Sequence, residues 1–69
     1  MTLYLLKIRG TSKIPDYVQL RDEHFILMAY FKVSSPKKAL KRCNLEDKMD
    51  LIMGIVNILP YGQIEKLEL

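Results

Sequence analysis

Residues 34–59, SSPKKALKRCNLEDKMDLIMGIVNIL, decide the fold. Two serines precede Pro36; serine accepts a hydrogen bond from a free N–H at a helix start, and proline is favoured at the first helical position. Asn44, with Asp47 three residues later, resembles a second helix start of the capping-box kind. We therefore predict either one long helix with a break near Cys43-Asn44, or a short helix followed by a longer one.

Apolar residues in the second half of this stretch recur at helical spacing. One face is formed by Leu45, Met49, Ile52, Met53 and Val56. A neighbouring stripe, Leu51, Ile55 and Ile58, widens the apolar arc and predicts a well-buried helix. The β-branched residues also allow residues 51–59 to be a buried strand, although the spacing favours a helix. Leu59-Pro60-Tyr61-Gly62 ends the element.

Alternating apolar residues on either side of this stretch predict a sheet. The predicted strands are Thr2–Arg9, Tyr17–Leu20, Phe25–Val33 and a short edge strand, Gln63–Leu69. Residues 21–24 join the second and third strands as a hairpin turn, unless residues 17–33 form one bent strand. The predicted fold is a single small α+β domain spanning residues 1–69. Its three- to four-stranded sheet has the order β-β-β-α-β and is packed by one long or two short helices.

Length and cysteine count limit what can stabilise this chain. A 69-residue domain buries only about 60% of the surface that its unfolded chain exposes. One cysteine and one histidine exclude an intramolecular disulfide and the common four-ligand zinc sites. Association is therefore the expected additional source of stability. The unpaired Cys43 fits a reducing, cytoplasmic location. No segment reads as a membrane span or a signal peptide, and no cofactor is indicated.

Residues suited to catalysis are few and scattered. His24 and Cys43 are the only candidates for a base or a thiol nucleophile, and nothing in their spacing brings them together. Asp16, Asp22 and Glu23 fall in loops, where acidic side chains are ordinarily solvated. The sequence therefore predicts neither an enzyme, a metal site nor a small-molecule substrate.

The third predicted strand has an unusually apolar second face. Its first face carries Phe25, Leu27, Ala29, Phe31 and Val33, and its second carries Ile26, Met28 and Tyr30. A half-buried strand should show polar residues on one side, so this strand is either covered on both sides or meets another chain. Since one helical layer covers one face of a sheet, we predict protein–protein association, including homodimerisation, through Ile26, Met28 and Tyr30. The expected function is that of an interaction or regulatory protein.

Charge distribution suggests an alternative partner. Residues 1–42 carry nine Lys/Arg and three Asp/Glu, and residues 43–69 carry two and five; the resulting charges of +6 and −3 sum to +3. Four cations, Lys37, Lys38, Lys41 and Arg42, surround a helix start, where positive charge opposes the helix dipole. Contact with phosphates would explain them, as would an acidic protein surface or solubility alone. Nucleic-acid binding is therefore the alternative function, without a helix-turn-helix or RNA-recognition signature.

No motif identifies a family. The plan of strand, capped helix and short final strand resembles that of several small bacterial and phage-encoded proteins that act by binding larger machinery. That resemblance extends to the plan only and implies a binding role.

Overall fold

The sheet has four strands and is antiparallel throughout. A computed structural model describes all 69 residues, with β1 at Thr2–Ile8, β2 at Tyr17–Arg21, β3 at Leu27–Lys32 and β4 at Ile64–Glu68. Their spatial order is β3-β2-β1-β4, which makes β3 and β4 the two edges. The predicted α+β class, the element order, the hairpin and the edge position of the last strand are confirmed. The connection from β3 to β4 is not a parallel crossover, because the two strands run in opposite directions.

Two helices separated by a short 3₁₀ turn connect the edge strands. Helix α1 spans Lys37–Arg42, the 3₁₀ turn spans Glu46–Lys48, and α2 spans Met49–Ile58. The short-then-long helix interpretation is thus confirmed, and residues 51–58 are helical rather than extended. Helix α2 ends at Leu59, whose backbone is extended (ψ 126°), as expected before a proline.

Both predicted helix caps are wrong in detail. Pro36 itself occupies the N-cap position of α1, and no serine side chain caps the helix. Asn44 does not start a helix but ends one: its φ is +59°, the left-handed conformation that asparagine tolerates better than most residues. The Leu45 N–H donates to the Leu40 carbonyl (2.8 Å) and the Asn44 N–H donates to the Lys41 carbonyl (3.1 Å). This is the Schellman pattern, and it turns the chain from α1 toward α2.

A single core lies between the helices and one face of the sheet, which we call the core face. Sheet residues in this core are Leu3, Leu5, Val18, Leu20, Phe31 and Leu67, and residues from the helical side are Leu40, Leu45, Ile52, Val56 and Leu59. The predicted apolar arc on α2 is too wide, because Leu51 and Ile58 are exposed. The helical layer is one helix deep, so the outer side of α2 meets no second layer.

The third strand is shorter and less regular than predicted. It begins at Leu27 rather than Phe25, which has a φ of +64° in the preceding turn. Leu20 lies opposite Ala29 but Arg21 lies opposite Leu27, so Met28 is an extra residue, as in a β-bulge. The predicted alternation therefore fails at its start. Phe25 packs against Tyr4 and Leu27 pairs with Arg21, on the side away from the helices.

The first and last residues are hydrogen-bonded neighbours. The Met1 amino group donates to the Leu69 carbonyl (2.9 Å), and the Leu69 N–H donates to the Met1 carbonyl (2.7 Å). They extend the β1–β4 pair by one position. The central strand β1 thus pairs with β2 over residues 4–8 and with β4 over residues 2–6.

The loop between β1 and β2 is fixed by one carboxylate and one glycine. Asp16 accepts hydrogen bonds from the Tyr61 hydroxyl and from the Gly10 N–H. Gly10 is required here, because a Cβ at this position would overlap the backbone of Ile14 and Pro15. Lys7 and Arg9 lie over the Tyr61 ring, at 4.9 and 4.7 Å from its centre. These contacts join the loop to the turn that precedes β4.

The left-handed residue at the end of α1 gives the first testable prediction. Asn44→Val should lower the free energy of unfolding by about 1–2 kcal/mol, because a β-branched residue is strained at this φ. Asn44→Gly should leave it nearly unchanged, since glycine adopts the conformation without strain. Urea unfolding of the three proteins checks both values. Equal stability of the valine variant would contradict the left-handed assignment.

The Asp16–Tyr61 hydrogen bond predicts a stability profile that falls at both extremes of pH. Hydrogen bonds from Tyr61 and then Gly10 lower the pKa of Asp16 below its ordinary 3.8, so this stabilisation is present above about pH 4 and lost as the pH falls further. The bond to Asp16 raises the pKa of Tyr61 above 10.0, so its stabilisation is present below pH 10 and lost as the pH rises through the raised value.

Thermal unfolding measured against pH should therefore differ between the wild-type protein and Tyr61→Phe. The variant should show a flatter profile at both ends. Tyr30→Phe is the matched control, because the Tyr30 hydroxyl makes no hydrogen bond within the protein. Superimposable profiles for Tyr61→Phe and the wild type would show that the bond does not contribute.

Candidate functional site

The sheet surface opposite the core, which we call the open face, is covered by no helix. The strand registers place the following side chains on it: Tyr4, Leu6, Ile8, Tyr17, Gln19, Arg21, Leu27, Tyr30, Lys32, Ile64 and Lys66. Those on β1 and β2 are half-buried by their neighbours, whereas Leu27, Tyr30 and Ile64 on the edge strands are exposed. The open face is therefore mainly apolar and aromatic.

One end of the open face is held in place by an aromatic cluster. The Arg21 guanidinium lies 4.7 Å from the centre of the Phe25 ring, and that ring meets Tyr4 edge-on at 5.5 Å. Arg21 also donates to the Phe25 carbonyl (3.0 Å) and to the Gln19 side-chain oxygen (2.9 Å). The Asp22 carboxylate accepts the N–H groups of His24 and Ile26, which closes the turn. This part of the surface is thus ordered without a partner.

Positive charge predominates at the margins of the open face. Arg21, Lys32 and Lys66 lie on it, and the acidic residue at its margin is Glu68. Glu68 accepts a hydrogen bond from Thr2 (2.9 Å) and pairs with Lys66 (3.3 Å); these contacts, the Thr2 bond foremost, lower the pKa of its carboxyl group. Arg21 and Lys32, the cations nearest β3, form no ion pair.

A cleft of about 720 Å³, which we call the edge cleft, runs along the outer side of β3. Tyr17, Tyr30 and Lys32 line it from the sheet, and Lys38 and Arg42 line it from α1. Its size falls within the range of about 300–1,000 Å³ typical of ligand sites. A smaller adjoining hollow of about 440 Å³ shares Tyr30 and Arg42 and adds Met28.

The structure brings together some of the predicted contact residues and separates others. Tyr30 and Met28, predicted for protein contact, lie beside Lys38 and Arg42, predicted for nucleic-acid contact. Ile26 lies in the turn before β3 and is exposed.

The remaining predicted cations have a different position. Lys37 and Lys41 are also exposed on α1 but do not line the edge cleft. None of the four α1 cations forms an ion pair, because the two pairs in the protein are Glu23–His24 and Lys66–Glu68. Lys38 and Arg42 therefore lie on the side of α1 that adjoins the sheet, whereas Lys37 and Lys41 do not.

Several open-face residues were not among the predicted site residues. They are Tyr4, Leu6 and Ile8 on β1, Tyr17 on β2, and Ile64 on β4. The alternation of Tyr4, Leu6 and Ile8 in the sequence was a usable signal. It did not reveal which side of β1 the helices would cover, because Leu3 and Leu5 on the other side are equally apolar.

The residues considered for chemistry lie apart. His24 is exposed in the β2–β3 turn beside Glu23, and Cys43 is half-buried at the end of α1. No group of three or more His, Cys, Asp or Glu side chains is arranged to hold a metal ion. None of the helices has the length and apolar character needed to cross a bilayer.

Comparison with known protein families, curated proteins and solved structures finds no match to this chain. The surfaces described above are therefore the basis for considering function.

Proposed function

We propose that this chain acts by protein–protein association, as a homodimer formed through its open face. The observation that supports this most directly is the one-sided packing of the sheet. Helices cover the core face, whereas Tyr4, Leu6, Ile8 and Ile64 on the opposite side have no covering element. An apolar surface of this kind is typical of contact with another chain.

The centre of the open face has the uncharged character needed to pack against the same surface of a second copy. Leu6 lies between Ile64 on one side and Gln19 on the other, so the middle of the open face is uncharged. Two sheets can pack face to face through such a surface, with their side chains interdigitating. A two-fold axis along the strands would place the basic β3 edge of one copy over the β4 edge of the other. The basic β3 edges of the two copies would then not face each other, and Lys66 on β4 is already paired with Glu68.

The size of the open face sets the expected strength of the dimer. Four strands spaced about 4.8 Å apart, each with about six residues rising about 3.3 Å, give roughly 19 by 20 Å, or roughly 400 Å² in projection. Two copies would bury roughly 800 Å² in projection, about half the standard interface size of about 1,600 Å² and in the range of weak, transient contacts. We therefore expect a concentration-dependent dimer rather than an obligate one.

We also propose that this protein binds a partner rather than catalysing a reaction, and that it does so in the cytoplasm. The proposal is supported by the separation of His24 from Cys43, which lie on different elements and cannot be assigned to a shared reaction centre. The single Cys43 has no partner for a disulfide, which is compatible with a reducing compartment. Such a protein would serve as an interaction or regulatory component.

Replacing Ile64, which lies on the open face and is 52% exposed, tests the dimer. Ile64→Gln should raise the dimer dissociation constant by at least about tenfold, because each buried isoleucine contributes about 1.5–3 kcal/mol and the dimer contains two. The charge of the protein does not change. Sedimentation equilibrium over a range of concentrations measures the constant.

Ile58→Gln is the matched control for this measurement. Ile58 is 82% exposed at the end of α2, away from the open face, and should not affect association. Circular dichroism should show that both variants keep the wild-type fold. A wild-type protein that stays monomeric at every concentration would refute the dimer, and equal weakening by both substitutions would refute the open face as its contact.

A further inference from the structure

We propose that the edge cleft binds single-stranded nucleic acid, with bases stacked on Tyr30 and Tyr17 and phosphates held by Lys32, Lys38 and Arg42. Tyr17, Tyr30 and Lys32 also belong to the open face, so a homodimer formed through that face would compete with this binding, and the monomer is the species expected to bind. This binding mode differs from binding by the basic helix alone. Only one side of α1 takes part, and the aromatic rings come from the sheet.

The cations of the cleft come from both of its sides: Lys32 from β3, and Lys38 and Arg42 from α1. Lys38 and Arg42 are four residues apart, so they lie on the same side of α1. Ala39, beside them in the cleft lining, is small and leaves the space between helix and strand open. No acidic residue lines the cleft and none of its three cations is paired. Unbalanced positive charge in a concave surface attracts a polyanion.

The aromatic residues of the cleft offer flat surfaces at separate positions. Tyr30 is 70% exposed, and its ring packs on no other aromatic ring. Tyr17 lies opposite Lys32 on the neighbouring strand, which makes Tyr17 and Tyr30 diagonal neighbours roughly 7–8 Å apart. Tyr30 is therefore the main stacking surface, and the half-buried Tyr17, which also lines the cleft, is a second and smaller one. Stacking on sheet aromatics requires unpaired bases, so the expected ligand is single-stranded rather than duplex.

Charge argues against a second copy of this chain as the occupant. Pairing of two β3 edges about a two-fold axis would bring Lys38 and Arg42 of one copy toward the same residues of the other. An acidic extended peptide would meet the charge requirement, but it would leave the Tyr30 ring without a role. The combination of unpaired cations and exposed rings favours nucleic acid.

The test uses the full chain and a fluorescein-labelled oligothymidine within the site size of about 4–16 nucleotides. Fluorescence anisotropy at several salt concentrations gives the affinity and its salt dependence. If three phosphates are contacted, the logarithm of the binding constant should fall against the logarithm of salt with a slope of about −2. Duplex DNA of the same length should bind more weakly.

Two double variants separate the cleft from general charge. Lys38→Glu/Arg42→Glu removes the two α1 cations that line the cleft, and Lys37→Glu/Lys41→Glu removes the two that do not. Both change the net charge equally. The cleft variant should bind at least about tenfold more weakly than its control, with a slope reduced toward roughly −0.7.

Substitution of Tyr30 tests the stacking. Tyr30→Ala should weaken binding by about tenfold, whereas Tyr30→Phe should retain it because the ring is kept. Circular dichroism confirms that the variants are folded. Ile64→Gln, which weakens the proposed dimer, should bind the oligonucleotide at least as tightly as the wild type, because it frees the open-face side of the cleft. That last comparison keeps a failure of the dimer distinct from a failure of this proposal.

Four results would overturn the inference. Equal losses in the two charge variants would assign binding to general electrostatics, and full binding by Tyr30→Ala would exclude stacking. Competition by a polyglutamate peptide as strong as that by unlabelled oligothymidine would identify an acidic-peptide site instead. Absence of any binding at low salt would remove nucleic acid altogether.

Discussion

The burial of the core face beneath α2 is the interaction on which the rest of the structure depends. Ile52 and Val56 from the helix join Leu3, Leu5 and Leu20 from the sheet in one cluster. Each such side chain contributes about 1.5–3 kcal/mol when it leaves water. In a chain of 69 residues there is material for one helical layer only, and that layer must cross from one sheet edge to the other. The same requirement leaves the open face without a cover.

The connection between the helices determines what lies beside the β3 edge. Asn44 ends α1 after six residues and redirects the chain, so α1 stays next to β3 while α2 covers the sheet. Lys38 and Arg42 consequently adjoin Tyr30 rather than facing open solvent on all sides. A backbone conformation at one residue thus decides which cations share a surface with the sheet aromatics. The other two α1 cations have no such neighbour.

The element order and class followed from periodicity and from Pro36 and Pro60, because these signals are local. The helix over residues 51–58 was also predictable, since its apolar residues recur at helical spacing. Asn44 was misassigned because asparagine favours both helix starts and left-handed helix ends, and only the hydrogen-bond partners distinguish them. The bulge at Met28 and the positive φ of Phe25 have no clear local signature. Of the candidate site, Tyr30, Lys38 and Arg42 were identified separately, but their proximity depends on where α1 packs, which is a tertiary property.

The pairing of β1 with β4 also bears on how the protein folds. Their partners are separated by almost the whole sequence, from Thr2 opposite Glu68 to Leu6 opposite Ile64. Contacts of such long sequence separation close large loops and slow folding compared with local ones. The hairpins of β1, β2 and β3 can form first, but one side of β1 stays unpaired until β4 arrives. The docking of β4 onto β1 is therefore expected to be a late step of folding.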